Sequence, residues 1–345
     1  MKTRNFELNK IILAAAALCG LEVKHLSEYF DAASILHPSC ASMRRVEPKL
    51  FPFIKATGSA ELNLQIALAN GRSNGTCVAL DEQHSCSQRA GKRAPFCSTV
   101  FVNDHMGKVL TLSHASAKEA KDLGVKCLAK ASRVLGLQSM AASLNHIDMI
   151  IVDGCASSEK DLDEHVRINR QHDKVCLNKD LWHKAKNIGK AWIKLTTKRG
   201  TDRKLLYSNL SCVPIRTIKT HLTYCAKKCT GNVDEFEALW LDRIDHWNID
   251  LELPEDGKEY EALCSFMYSY VCDLRHYSAA KYTSNTESFH HLANKYCSKG
   301  VRRCFNTHIA RKTLAVLDWN ENYKCQHHTY NFSLIIMRNF ISSLK

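Results

Sequence analysis

Three acidic residues stand where carboxylates can do chemistry. Asp81 follows the short apolar run from Thr76 to Leu80, Asp153 follows the run from Ile147 to Val152, and Glu287 lies in Thr286-Glu287-Ser288-Phe289. Acids that close the strands of an open sheet line the crevice where ligands bind. Carboxylates brought to one edge repel each other unless a cation neutralises them, and hard oxygen donors suit Mg²⁺ or Mn²⁺. Two such ions, held by three carboxylates, make an attacking water or hydroxyl nucleophilic and stabilise the leaving oxygen in phosphodiester cleavage. Each acid also has an ordinary use. Asp81 and the Asp153-Gly154 dipeptide are good turn starters, and Ser284-x-x-Glu287 has the spacing of a capping box. Phe289, Leu292, Ala293 and Tyr296 share one helical face and Glu287 sits opposite them, and on spacing the two uses of Glu287 stand even.

These residues need a sheet to hold them. The turn cluster Gly71, Ser73, Asn74 and Gly75 marks a boundary, after which Thr76 to Leu80, Ser98 to Val102 and Lys108 to Leu112 read as three successive strands. The spacing predicts a helix over Ala115 to Leu135, a buried strand over His146 to Val152, a polar helix over Ser157 to Arg170 and a fifth strand over Lys174 to Leu177. The order is β-β-β-α-β-α-β-α. A further helix from Asp180 to Lys198 gathers Leu181, Ala185, Ile188, Trp192 and Leu195 on one face, with His183, Lys186, Lys190 and Lys194 on the other. Such a basic stripe is usually a solvated face, but this one starts beside the expected site, which favours contact with phosphates.

Residues 1 to 70 read as helical: Leu8 to Leu18, Val23 to Phe30 after Gly20, and a segment from Ser42. Helices about Gly20, followed by Met43-Arg44-Arg45, fit a helix-turn-helix reader or ordinary packing. Residues 184 to 284 form a helical insertion, followed by helices at Glu287 to Tyr296 and His308 to Asn320 and by a tail without an interpretable signal. The expected division is therefore 1–70 N-terminal helical region, 71–183 first part of the sheet domain, 184–284 insertion, 285–325 final helices and 326–345 tail.

Composition narrows the partners. The chain of 345 residues carries 48 Lys and Arg against 35 Asp and Glu, a net charge of +13, which suits a polyanion. No apolar run reaches the roughly 18 residues needed to span a bilayer, so no membrane partner is expected. The start imitates a secretory signal, but Glu7 and the helical spacing of Leu8, Ile11, Ile12, Ala15 and Ala16 favour a core helix. Sixteen Cys, scattered through apolar segments, suit a reducing compartment. Cys225-x3-Cys229 with His221, and the group Cys325, His327 and His328, lack the second half-site of a zinc finger, so free thiols are the expected state.

Four blocks together resemble a known family. Ala79-Leu80-Asp81-Glu82-Gln83-His84, Ile151-Val152-Asp153-Gly154, Asp180-Leu181-Trp182-His183-Lys184-Ala185-Lys186-Asn187 and Asn285-Thr286-Glu287-Ser288-Phe289-His290 are similar, in order, to the motifs of DDE/DDD cut-and-paste transposases, including eukaryotic transposon-derived proteins. The D-x-x-H signature and the helical insertion belong to the same resemblance. It implies an α/β, ribonuclease H-like mixed five-stranded sheet with flanking helices, interrupted by an all-helical insertion and preceded by a helical region. It implies that Asp81, Asp153 and Glu287 are catalytic and bind Mg²⁺ or Mn²⁺. Asp180, His183, Lys184, Lys186, Lys190 and Lys194 would shape the site or contact DNA. The implied partners are transposon ends and target DNA, with a homo-oligomer left open, in the nucleus. The family's usual N-terminal DNA-binding module is not recognisable. That leaves a truncated chain, a domesticated or decaying copy that binds DNA without catalysis, or DNA binding by residues 1–70.

Overall fold

The computed structural model describes residues 13–21, 23–33, 45–72, 75–85, 94–153, 160–161, 163–167, 175–299, 301, 303–325, 329 and 331–343. The expectations for residues 8–12, 42–44, 73–74, Gly154, 157–159, 162, 168–170, Lys174, and His327 and His328 lie outside them; of the polar helix expected over Ser157 to Arg170, residues 160–161 are α-helical and Asp163–Arg167 form a π-helical turn. Residues 13–18 are helical. The remaining elements are α1 (Val23–Ala32), α2 (Glu47–Asn70), β1 (Thr76–His84), β2 (Phe96–Asn103), β3 (Val109–Ser116), α3 (Ala117–Asp122), α4 (Leu128–Ser143), β4 (Ile147–Val152) and β5 (Cys176–Lys179). They continue with α5 (Leu181–Thr196), α6 (Ile215–Lys228), α7 (Val233–Asp250), α8 (Lys258–Tyr268), α9 (Val271–Leu274), α10 (Ser284–Tyr296), α11 (Phe305–Asn322) and α12 (Asn331–Ser342). The five strands make one mixed sheet ordered β3-β2-β1-β4-β5. β1 with β2 and β2 with β3 pair antiparallel, and β4 with β5 pair parallel.

The chain divides into two compact units. Unit 1 comprises Met1–Asp148, Lys160–Val175 and Ser284–Lys345, and unit 2 comprises Met149–Glu159 and Cys176–Thr283. β4 thus opens in the first and continues into the second.

Unit 1 is layered by the period-two alternation of its strands. Odd positions of β2 face α4: Thr99 bonds Ser132 hydroxyl to hydroxyl at 2.8 Å, and Phe101 meets Gly136. Even positions face the other way. Val100 and Val102 join Val109, Leu50, Ile54, Phe289, Tyr296, Leu314 and Phe340 in one buried cluster drawn from α2, α10, α11 and α12. On that side a buried polar chain runs through the core. Ser98 Oγ lies 2.8 Å from both His114 Nδ1 and His308 Nε2, and His308 Nδ1 lies 3.3 Å from Cys297 Sγ. Burial drives His308 down to about 3 and raises the Cys297 thiol, so the chain is neutral.

Three elements depart from the sequence expectation. β1 runs on past Leu80 to His84, so Asp81 sits within the strand opposite Val100, with Glu82, Gln83 and His84 paired beyond it. The single helix expected over Ala115 to Leu135 is two. β3 extends to Ser116, whose side chain and Glu119 form a capping box for α3, and left-handed Gly124 (φ 67°) ends that helix before α4 begins. The tail, unread in the sequence, forms α12, which buries Phe332, Ile336 and Phe340, and Phe340 meets the Phe53 ring edge-on at 6.1 Å.

Unit 2 has its own core, centred on Trp192, Phe236 and Trp240 from α5 and α7. Both buried indoles donate to carbonyls, Trp192 to Val213 at 3.1 Å and Trp240 to Met267 at 3.0 Å. Among the described residues no helix is long and apolar enough to cross a membrane.

The contact of α4 with β2 sets a limit on side-chain size. A Cβ at Gly136 would lie 2.0 Å from Phe101 Cε2 and 2.8 Å from Ser113 Oγ. Gly136→Ala would gain about 1 kcal/mol of helix propensity but overpack a fully buried ring at about 1–3 kcal/mol. Because Phe101 is fully buried, we expect net destabilisation of about 1–2 kcal/mol in urea unfolding. A gain in stability would show that the two layers are not closely apposed.

Candidate functional site

In unit 2, Asp153, Asp180 and His183 come together for a local reason. β5 pairs with β4 in register as far as Val152 opposite Lys179, and the Asp180 N–H continues the ladder by donating to the Val152 carbonyl at 2.8 Å. Asp180 is therefore beside the last residue of β4, and α5 starts at once. Its side chain is the N-cap of α5, accepting from the His183 N–H at 2.7 Å. The D-x-x-H spacing is thus the spacing from N-cap to N3, and it brings His183 Nδ1 within 2.9 Å of Asp153 Oδ1 and 3.3 Å of Asp180 Oδ1. The second Asp180 oxygen accepts from the backbone N–H of Thr283 and from its hydroxyl, the latter at 2.7 Å. Asp180 is 3% exposed and Asp153 39%. Of the two, Asp153 is the carboxylate available to a ligand, and Asp180 holds the frame.

The outward face of α5 separates the expected phosphate contacts into two kinds. Lys184 is engaged: its ammonium lies 2.6 Å from Asp273 and over the rings of Tyr270 and Tyr277 at 4.7 and 5.1 Å. Lys179 also bonds Asp273 at 2.6 Å. Burial would raise Asp273, but the hydrogen bonds from Lys179 and Lys184 outweigh it and hold its carboxyl below the usual range. Lys186, Lys190 and Lys194 are exposed, and Lys186 stands 4.9 Å over the half-exposed Trp182 ring. The opposite face of α5 buries Leu181, Ala185, Ile188 and Trp192, as the spacing predicts.

In unit 1, Asp81 is partly exposed, and His290 Nε2 of α10 lies 3.3 Å from its Oδ2. Burial lowers the pKa of His290 against the opposing pull of Asp81. Glu287, in the first turn of the same helix, is exposed. α10 spans Ser284–Tyr296.

The polar residues after Asp81 are carried by partners the sequence reading missed. Arg133 of α4 bonds Glu82 at 2.7 Å and Asp161 at 2.6 Å, and Lys130 reaches Asp161 at 3.0 Å. Burial raises the pKa of Glu82, with Arg133 opposing. Gln83 accepts from the ammonium of Lys312, a lysine only 2% exposed, and its amide donates to Asn294 at 3.4 Å. His290 was quoted in the last motif block without a role. Lying one helical turn after Glu287, it was the signal available in the sequence.

Among the described residues no three His, Cys, Asp or Glu side chains are gathered as a cation cage. Asp81 and Glu287 in unit 1, and Asp153 in unit 2, are each carboxylates of the hard-oxygen kind that Mg²⁺ prefers. Cys225 and Cys229 are buried; Cys229 donates to the carbonyls of Ala226 and Ser278, and burial pushes Cys225 up to about 12. His221 stacks on Trp240 with ring centroids 5.4 Å apart. No family model and no curated protein matches the chain.

Asp180→Ala would remove the cap of α5 and strand two buried donors of Thr283, a loss of roughly 3 kcal/mol in chemical unfolding. Unchanged stability would remove Asp180 from its framing role. Lys312 has its pKa lowered to about 8 by burial. The native state therefore binds fewer protons than the unfolded chain above that value. The penalty of burying the ammonium is complete below about pH 8 and is relieved as pH rises toward the ordinary lysine value. Stability of the wild type relative to Lys312→Met should consequently rise between pH 8 and 10, by an amount on the order of 3 kcal/mol. Parallel stability curves would refute the burial of a charged lysine beside Gln83.

Proposed function

We propose that the chain is a transposase-type, DNA-binding protein with a ribonuclease H-like core, which cleaves and joins phosphodiesters with Mg²⁺ or Mn²⁺. The observation that carries the reading is the strand order β3-β2-β1-β4-β5, with an aspartate on β1 and another directly after β4. A helical unit between β5 and α10, and an exposed acid in the first turn of α10, add to it. In this reading Asp81, Asp153 and Glu287 are the metal-holding catalytic carboxylates. Bound there, the metal supplies activation of the nucleophile and charge stabilisation at the leaving oxygen.

The chain's own residues do the rest. Asp180 fixes the start of α5, and His183 orients the Asp153 carboxylate. Lys186, Lys190 and Lys194 meet the phosphates of the DNA, while Lys184 positions the helix through Asp273. Water or a 3′-hydroxyl attacks phosphorus in line and the opposite P–O bond breaks. The work implied is on transposon ends and target DNA in the nucleus, by one copy of the chain or by several.

One observation favours a second reading, DNA binding by a domesticated, catalytically inactive protein. The carboxylates of Asp81 and Asp153 each face an imidazole, and no cation cage is gathered among the described residues. The readings part in a cleavage assay. Purified protein should nick duplex DNA only with Mg²⁺ or Mn²⁺, and Asp153→Asn should abolish nicking. Isothermal titration with Mn²⁺ in the presence of DNA should show weaker binding for Glu287→Gln. Metal-independent nicking that survives in Asp153→Asn would end the catalytic reading; DNA binding with neither nicking nor Mn²⁺ uptake would establish the second.

A further inference from the structure

Within unit 2, α5 and α6 flank an open groove of about 770 Å³. Trp182 and Lys186 line it from α5, Lys219, Tyr224 and Lys227 from α6, and Tyr282 from the end of the unit. No acidic residue lines it. Trp182 and Tyr224 are 52% and 54% exposed, and both line the same groove. Among the described residues no ion pair is formed by Lys186, Lys219 or Lys227, in contrast to Lys184, and Lys186 lies over the indole of Trp182.

Aromatic faces interleaved with ammonium groups have a specific physical meaning. Unpaired bases stack on Trp and Tyr, while the flanking phosphates take the cations. Duplex DNA hides its base faces in its own stack and offers only phosphates to such a surface. A protein partner would equally use the aromatics, but three lysines without a carboxylate fit a polyanion better. We infer that this groove is a binding site for unpaired DNA, in which Trp182 and Tyr224 stack bases and Lys186, Lys219 and Lys227 hold the phosphates beside them. The inference rests on the reading of the chain as a DNA-handling protein and adds to it a preference for single strands, carried by residues other than the proposed catalytic carboxylates.

The test uses the full chain and oligo(dT) of about 12 nucleotides. Of the five tryptophans, Trp182 is the strongly exposed one among the large hydrophobic side chains, so binding should quench its fluorescence, with duplex of equal length quenching little. Trp182→Ala and Tyr224→Ala should each weaken oligo(dT) binding roughly five- to a hundredfold, while Trp182→Phe largely restores it. Both residues are exposed, so these variants should keep the wild-type circular dichroism and melting temperature. Lys219→Gln and Lys227→Gln should each lower the slope of log affinity against log salt by about 0.7. Equal affinity of wild type and both alanine variants for oligo(dT) would overturn the inference. So would binding to phosphatidylserine vesicles with none to oligo(dT). Metal-dependent nicking separates the two claims. Stacking without nicking leaves the groove standing and removes the catalytic reading, whereas nicking without stacking does the reverse.

Discussion

The carboxylate of Asp180 accepts hydrogen bonds from His183 and, twice, from Thr283, while its own N–H extends the β4–β5 ladder. Four structural jobs meet in this one residue: the end of a strand pair, the start of α5, the orientation of His183 toward Asp153, and the fixing of the last residue of unit 2 before the chain returns to unit 1. A buried carboxylate is costly to desolvate, and it is tolerated only when its lone pairs are filled. Filling them demands that β5, α5 and Thr283 be in place together. The local fold therefore forms as a whole or loses the charge's partners.

A parallel arrangement holds β1. Its C-terminal half carries Asp81, Glu82, Gln83 and His84, an unfavourable run for a central strand. Arg133 neutralises Glu82 from α4, and Lys312 meets Gln83 from α11. With these neighbours satisfied, the strand stays paired with β2 through His84, and Asp81 is kept on a rigid element instead of a turn. Burial keeps His308 and Cys297 neutral.

These partners explain what the sequence could and could not disclose. The presence of five strands, the buried face of α5 and the helical character of residues between β5 and α10 were legible because each rests on local periodicity; the mixed pairing of the strands does not. The D-x-x-H spacing stood out only through the family resemblance; in the structure it is the one turn from N-cap to N3 of α5. The continuation of β1 was not, because its polar residues are strand-forming only with Arg133 and Lys312, which lie 51 and 229 positions away in the relevant bonds. The pairing of Asp180 with Thr283 spans 103 positions and leaves no periodic trace. α12 is a different case. Phe332, Ile336 and Phe340 recur every fourth residue, a helical signal that the short, aromatic-rich tail carried all along.

The insertion between β5 and α10 must be more than a spacer. A structureless loop of that length would be rare in a compact protein, and the chain instead builds a second core around Trp192, Phe236 and Trp240. That core has a consequence for the surface. Because α5 and α6 bury Ile188, Trp192, Ile218 and Leu222 in it, their outer faces are held in a fixed register, and Trp182, Lys186, Lys219 and Tyr224 are presented from rigid helices instead of mobile loops. A ligand meeting this surface would find its contacts already ordered, and would avoid much of the entropy cost of immobilising them. The same helix that frames the Asp153 cluster at its N-terminus thus also carries the exposed aromatic and basic face. Any rotation of α5 about its axis would disturb both together, which ties the residues that could do chemistry to those that could hold a polyanion through a single element.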